Sequence, residues 1–199
     1  MFEKYSLSLL LFLTLSLMTI QNGLAQSEPL SRGADAPLFT AKASMDGSEF
    51  DFSLEEALAD GPVVLYFFPA AYTGGCDLEA RTFAEHKDKF ESEGVTIIGM
   101  SADSIQRLNS FSADPDYCAG EFPIASDPEG KVAATYGLEI KPAQSGAKNL
   151  QGDEITHGYI PRTTFVIADG KIKAVFSSKT DNLSPDEHVT ESMEIVQEL

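Results

Sequence analysis

Positive charge and sulfur are both scarce in this 199-residue chain. Lysine and arginine together number 14 against 31 aspartates and glutamates, a formal net charge of −17 at pH 7. No segment gathers basic residues into a patch, so nucleic acid and anionic lipid surfaces are repelled rather than bound. The acidic excess reads as a solvated face that favours solubility. Internal repeats and low-complexity tracts are missing as well. The three histidines, His86, His157 and His188, lie far apart without ligand spacing. All three read as surface residues, and neither a metal site nor a cofactor is expected. Cysteine occurs twice, at Cys76 and Cys118, and never as Cys-x-x-Cys, which disfavours a dithiol exchanger.

One long apolar run is present, at the N-terminus. Residues 1–25 combine the short start "MFEKY", the stretch "SLSLLLFLTLSLMTI" and the polar "QNGLA", with Gly23 and Ala25 at small-residue positions. This is the pattern of a secretory signal cut after Ala25, with an uncleaved anchor as the rival reading. An exported protein, periplasmic or secreted, is expected, with no membrane association once the segment is removed. Export also raises the plain alternative that the two cysteines form a structural disulfide.

Residues 26–33 read as a flexible lead-in and 34–199 as one domain. "MDG" between extended segments predicts an N-terminal hairpin, and Ser53 opens a short capped helix at "SLEE". "VVLYFF" (63–68) and "VTIIGM" (95–100) are apolar without alternation, as strands covered on both faces are. Helices are predicted after Cys76, from "SADSIQRLNSF" and from "PEGKVAATYG", with "FPIASD" extended between the last two. Residues 139–160 read as a loop, "TTFVIADGKIKAVFSS" as a hairpin on Asp169-Gly170, and 184–199 as a helix capped by Ser184 with Pro185 in its first turn. Strands alternating with helices give an α/β sandwich around a mixed central sheet.

The chemistry concentrates in "PAAYTGGC", positions 69–76. A thiol is a poor nucleophile until ionised, and a helix start aims unpaired N–H groups at the sulfur, which favours the thiolate. Pro69 ends the strand without a backbone donor. Thr73 places a hydroxyl three residues before Cys76, and Gly74 and Gly75 allow close backbone approach.

Pro69-x-x-x-Thr73-x-x-Cys76 resembles the active-site motif of the peroxiredoxins, thiol peroxidases of the thioredoxin-fold class. The resemblance extends over about residues 34–199, through "CDLEARTF", "VTIIGMSAD", "FPIASDPEGKVAATYG" and "PRTTFVIADGKI". It is greatest to the bacterioferritin-comigratory-protein, or Q-type, branch. It implies a thioredoxin-like fold carrying the N-terminal hairpin as an extension. By the same resemblance Cys76 is the peroxidatic residue, Arg162 the active-site arginine, Thr73 a peroxide-positioning group and Pro69 a shield for the oxidised sulfur. Glu79 is implied to orient arginines. The expected partners are a hydroperoxide substrate and a thioredoxin-like reductant, and the expected assembly is a monomer or weak homodimer.

Two positions depart from the family pattern. Gly74 stands where Pro or an apolar residue is frequent, which predicts a looser turn. Arg81 stands where many Q-type members carry a second cysteine, which leaves Cys118 as the remaining partner. Cys118 as resolving cysteine, as an unpaired thiol or as half of a permanent disulfide are the three readings open here. An exported thioredoxin-like reductant and a non-catalytic redox sensor are the functional alternatives.

Overall fold

The computed structural model describes residues 28–199. The expected signal segment, 1–25, lies outside the described residues. Twelve elements follow one another: β1 (Thr40–Met45), β2 (Ser48–Ser53), α1 (Leu54–Asp60), β3 (Val63–Phe67), α2 (Gly74–Ser92), β4 (Thr96–Ser101), α3 (Ile105–Ala113), β5 (Ile124–Ser126), α4 (Lys131–Thr135), β6 (Thr163–Ala168), β7 (Lys171–Ser177) and α5 (Pro185–Gln197). The strands form one sheet in the order β2-β1-β5-β4-β3-β6-β7. The β3–β4 and β4–β5 pairs are parallel and the others antiparallel, so the sheet is mixed.

Strand β3 shows why "VVLYFF" lacks alternation. Its period of two sends Val64 and Tyr66 into one apolar layer with α2, α3 and α5 residues such as Phe83, Phe111 and Val189. Val63, Leu65 and Phe67 enter the opposite layer with Leu54 of α1, Ala133 of α4 and Phe165 of β6. Both faces are covered, so both parities must be apolar.

The turns obey their glycines. Asp46 and Gly47, and Asp169 and Gly170, all have positive φ, the requirement of a two-residue hairpin turn. The first hairpin is not an appendage. β1 pairs with β5 at Ala43–Ala125 and Ser44–Ile124, so the hairpin forms one edge of the main sheet. Residues 28–33, read from sequence as a flexible lead-in, are instead fastened to the domain. Leu30 N donates to Tyr136 O at 3.0 Å and Gly33 N to Ile172 O at 2.8 Å, while Leu30 packs on the second apolar layer.

Gly99, inside β4, marks a close approach. A Cβ there would stand 2.6 Å from Tyr66 Cζ and 2.7 Å from Ile124 Cδ1. Tyr66 stacks on Phe83 of α2 with ring centroids 4.6 Å apart, so crowding at Gly99 pushes on the helix that carries Cys76. Gly99→Ala is expected to cost about 1–3 kcal/mol by overpacking. A thermal melt followed by circular dichroism checks this, with a fall of roughly 2–4 °C per kcal/mol for a chain of this size.

Candidate active site

The site forms where β3 ends. Antiparallel pairing sets Thr163 of β6 opposite Phe67, the last residue of β3. Arg162, one residue before β6, is thereby placed beside the turn that leaves β3 at Pro69. That turn runs to Thr73, the extended N-cap residue of α2 at φ −128° and ψ 136°. Cys76 falls in the first turn of the helix, as expected, and its side chain is buried. The helix begins two residues before the cysteine: Gly74, expected to loosen the turn, is its first residue, exposed and with room for a Cβ.

The guanidinium of Arg162 spans the site. Its Nη2 donates to Cys76 Sγ at 3.2 Å and its Nη1 to Glu79 Oε2. Glu79, one turn along α2 from Cys76, is fully buried rather than exposed on the helix surface. Gly75 leaves room beside the guanidinium, since a Cβ there would sit a tight 3.2 Å from Arg162 Nη2 and 3.4 Å from Pro185 Cγ. The Thr73 hydroxyl donates to Ala70 O at 2.7 Å and lies against the cysteine. The Cys76 N–H is bonded to Thr73 O at 2.8 Å. As the first two helical residues, Gly74 and Gly75 present N–H groups that lack acceptors within the helix. Beside this centre a cavity of about 370 Å³ is lined by Pro69, Arg162, Tyr159, Ile160 and Pro161 among others.

A thiol at a helix start, clasped by an arginine on a buried glutamate, coincides with a family assignment. The family model described as AhpC/TSA matches residues 32–175. The chain belongs to this family.

Similarity to individual peroxiredoxins covers most of the chain. A putative peroxiredoxin of Mycobacterium tuberculosis is 33% identical over 141 residues, covering 70% of this chain and 80% of the relative. Peroxiredoxin Bcp of Escherichia coli is 31% identical over 156 residues, covering 77% and 90%. The crystal structure of peroxidoxin BcpB from Mycobacterium tuberculosis superposes with a TM-score of 0.69 at 29% identity, covering 85% of this chain and 98% of that one. The Plasmodium yoelii thioredoxin peroxidase I, at 20% identity and a TM-score of 0.66, shares the fold. The chain is a Bcp-like peroxiredoxin with the thioredoxin-like architecture, and peroxiredoxins are thiol peroxidases.

In this peroxiredoxin the electrostatics of Cys76 are a contest. Burial pushes the thiol pKa up and is the largest influence, while Arg162, Thr73 and the Ala70 backbone pull it down and Glu79 adds to the rise. The net direction is upward, against the expectation from the helix start, because the sulfur is almost dry. Burial also drives the Glu79 carboxyl up to about 8 against the pull of Arg162. Arg162 itself is held in its charged form by Glu79 and Cys76, which outweigh its own burial.

Cys118 shares an apolar cluster with Cys76 but is not bonded to it, and both are free thiols. Cys118 is fully buried, and burial, then Asp114 and Asp77, push its pKa well up. The histidines correct the sequence reading. His188 is fully buried, its Nδ1 2.9 Å from Thr164 Oγ1 and its Nε2 2.9 Å from Ser178 Oγ. Burial and then Arg162 lower its pKa to about 4, so it is neutral. His157 is largely covered and reaches Asp103 Oδ1 at 2.9 Å, and His86 is partly buried with Nδ1 2.9 Å from Thr82 O. Sequence gave no sign of His188 or Asp103, whose partners lie on other elements, nor of Tyr72, which takes a positive φ of 58° in the active-site turn.

Removing the guanidinium isolates its effect. Arg162→Ala is expected to raise the Cys76 pKa further, and Arg162→Lys to raise it by less, because the ammonium keeps the charge but lacks the planar fork. Thiolate absorbance titrated in a Cys118→Ser background checks this. An unchanged Cys76 titration removes Arg162 from the account.

Proposed function

We propose that Cys76 is the peroxidatic nucleophile and that the enzyme reduces hydrogen peroxide and organic hydroperoxides. The observation that carries this reading is the Arg162 clasp, one nitrogen on the sulfur and the other on buried Glu79. The Cys76 thiolate attacks one peroxide oxygen, so an S–O bond forms as the O–O bond breaks. The leaving oxygen takes a proton and departs as water or an alcohol, and the cysteine becomes a sulfenic acid. Arg162 faces the negative charge as it moves from sulfur to the leaving oxygen. Thr73 and the free N–H groups of the first helical turn orient the peroxide, and Pro69 covers the oxidised sulfur. The adjoining cavity has room for more than hydrogen peroxide.

Cys118 is the resolving cysteine in this proposal. Its thiol condenses with the sulfenic acid, releasing water and leaving a disulfide within the chain that a thioredoxin-like dithiol reduces. Because Cys118 is buried, its segment has to open. Among the contacts that hold it closed, Arg81 Nε donates to Asp116 O at 2.8 Å, Gly120 N donates to Ser112 O at 2.8 Å, and Tyr117 packs on Phe111 and Tyr72 with centroids 5.4 and 5.6 Å apart. Ala119 and Gly120, both at positive φ, form a tight turn beyond it. Arg81, at the position of the alternative cysteine, thus fastens the segment that this chain uses instead. The enzyme acts after export directed by residues 1–25, as a monomer or weak homodimer.

Cys76→Ser is expected to abolish peroxide consumption with the fold intact, measured with a dithiol donor and hydrogen peroxide. Retained turnover overturns the assignment. Cys118→Ser is expected to accumulate a trappable sulfenic acid, whereas the wild type migrates faster as a monomer on non-reducing gels after one equivalent of peroxide. A wild-type Cys118 that stays free after turnover removes its resolving role.

A further inference from the structure

Asp103 lies just beyond β4, only 1% exposed, and both its oxygens are engaged. Oδ2 accepts the Ala71 N–H at 2.8 Å and the Ser101 hydroxyl at 2.9 Å. Oδ1 stands 2.9 Å from His157 Nε2 and 3.7 Å from Arg107 Nε. Ala71 lies inside the Pro69–Thr73 turn. A second tie to that turn comes from loop 139–160, where Leu150 N donates to Tyr72 O at 2.8 Å. Tyr72 holds an unfavourable positive φ, so the turn depends on external anchors to keep its shape.

The imidazole of His157 faces an acceptor at each end. Nε2 meets the Asp103 carboxylate and Nδ1 lies 2.8 Å from Gly158 O. Neither oxygen carries a proton to give when Asp103 is ionised. A neutral ring has one N–H, so whichever nitrogen holds it, the other opposes lone pair to lone pair. Only the imidazolium donates at both ends. His188 offers the contrast, since its two hydroxyl partners can donate or accept and a neutral ring satisfies both.

We propose that His157 is a positioning residue for the peroxidatic site, held as an imidazolium that fastens loop 139–160 to the carboxylate anchoring the Pro69–Thr73 turn. The proposal rests on the reading that Cys76 is the reacting group. The groups facing His157 are Asp103 from the β4–α3 connection, Arg107 from α3, and Glu154 and Tyr159 from its own loop, with Asp153 bridged to Arg107 at 3.4 Å. Burial, the largest single influence, favours the neutral ring and Arg107 adds to it. Asp103 and the Gly158 carbonyl together outweigh them, so the pKa rises above 6.5. The clamp is therefore complete below pH 6.5 and is lost as pH rises through the elevated value.

Two measurements test this. In the first, the second-order oxidation of reduced protein by hydrogen peroxide is followed against pH for wild type and His157→Gln. The wild type is expected to be faster by on the order of tenfold at pH 6, a modest loss of geometry, with the ratio shrinking toward one at pH 9. A ratio that stays constant with pH reduces His157 to an ordinary structural contact and overturns the proposal. In the second, the His157 ring is titrated by NMR in the wild type. Its pKa is expected above 6.5, with the Ala71 amide resonance moving in step, and Asp103→Asn is expected to lower it. A His157 pKa below 6.5, or an Ala71 amide indifferent to it, overturns the proposal. If the wild type fails to react with peroxide, the functional reading falls, and the NMR titration still decides whether His157 clamps the turn.

Discussion

A guanidinium held between a buried carboxyl and a buried thiol is the constraint around which this molecule is arranged. Arg162 is about one-tenth exposed and Glu79 not at all, so neither has water to fall back on. A charge stripped of water costs several kcal/mol unless it is paired and hydrogen-bonded. Each neighbour answers that requirement. The β3–β6 register delivers Arg162 to the end of β3, Gly75 leaves room for its Nη2, and α2 turns Glu79 to the same side as Cys76. His188, behind β6, stays neutral where a second cation would repel the first.

Dryness works in both directions at Cys76. It opposes the thiolate, and in the closed arrangement it outweighs the arginine. It also strengthens any charge interaction that forms once a peroxide enters, because little solvent screens the developing charge. Most of the acidic residues behind the formal charge of −17 are exposed, and Glu79 is the acidic side chain that enters the Cys76 balance. Cys118 is buried too, but the charged groups that act on it among the described residues are the carboxylates Asp114 and Asp77, which oppose ionisation. The two thiols therefore differ by their neighbours rather than by their depth, and Cys76 is the one beside a cation.

The secondary structure was largely legible because local chemistry determines it. Unalternating apolar runs became β3 and β4, Asp-Gly pairs became hairpin turns, and Ser53 and Ser184 became helix caps. The proximity of Arg162 to Cys76 was legible through the spacing of Pro69, Thr73 and Cys76 and through family resemblance, which reached Arg162 across more than eighty residues. What escaped was set by long-range packing. Nothing near His157 or His188 in sequence announces Asp103 or Thr164, because those partners arrive from the β4–α3 connection and from β6. The lead-in looked flexible because its own composition is polar, yet backbone bonds to Tyr136 and Ile172 hold it down. The expected fall in the Cys76 pKa missed the degree of burial, which a helix-start argument does not contain.

The central claim is that the clasped thiol, and not the buried unclasped one, meets the peroxide first. It is tested most directly by locating the first sulfenic acid. Reduced wild-type protein receives less than one equivalent of hydrogen peroxide in the presence of a sulfenic-acid trap, and peptide mass spectrometry reads the site. The account predicts the adduct on the peptide containing Cys76, forming much faster than on a free cysteine under the same conditions. An adduct on the Cys118 peptide, or a rate no faster than that of free cysteine, would contradict it.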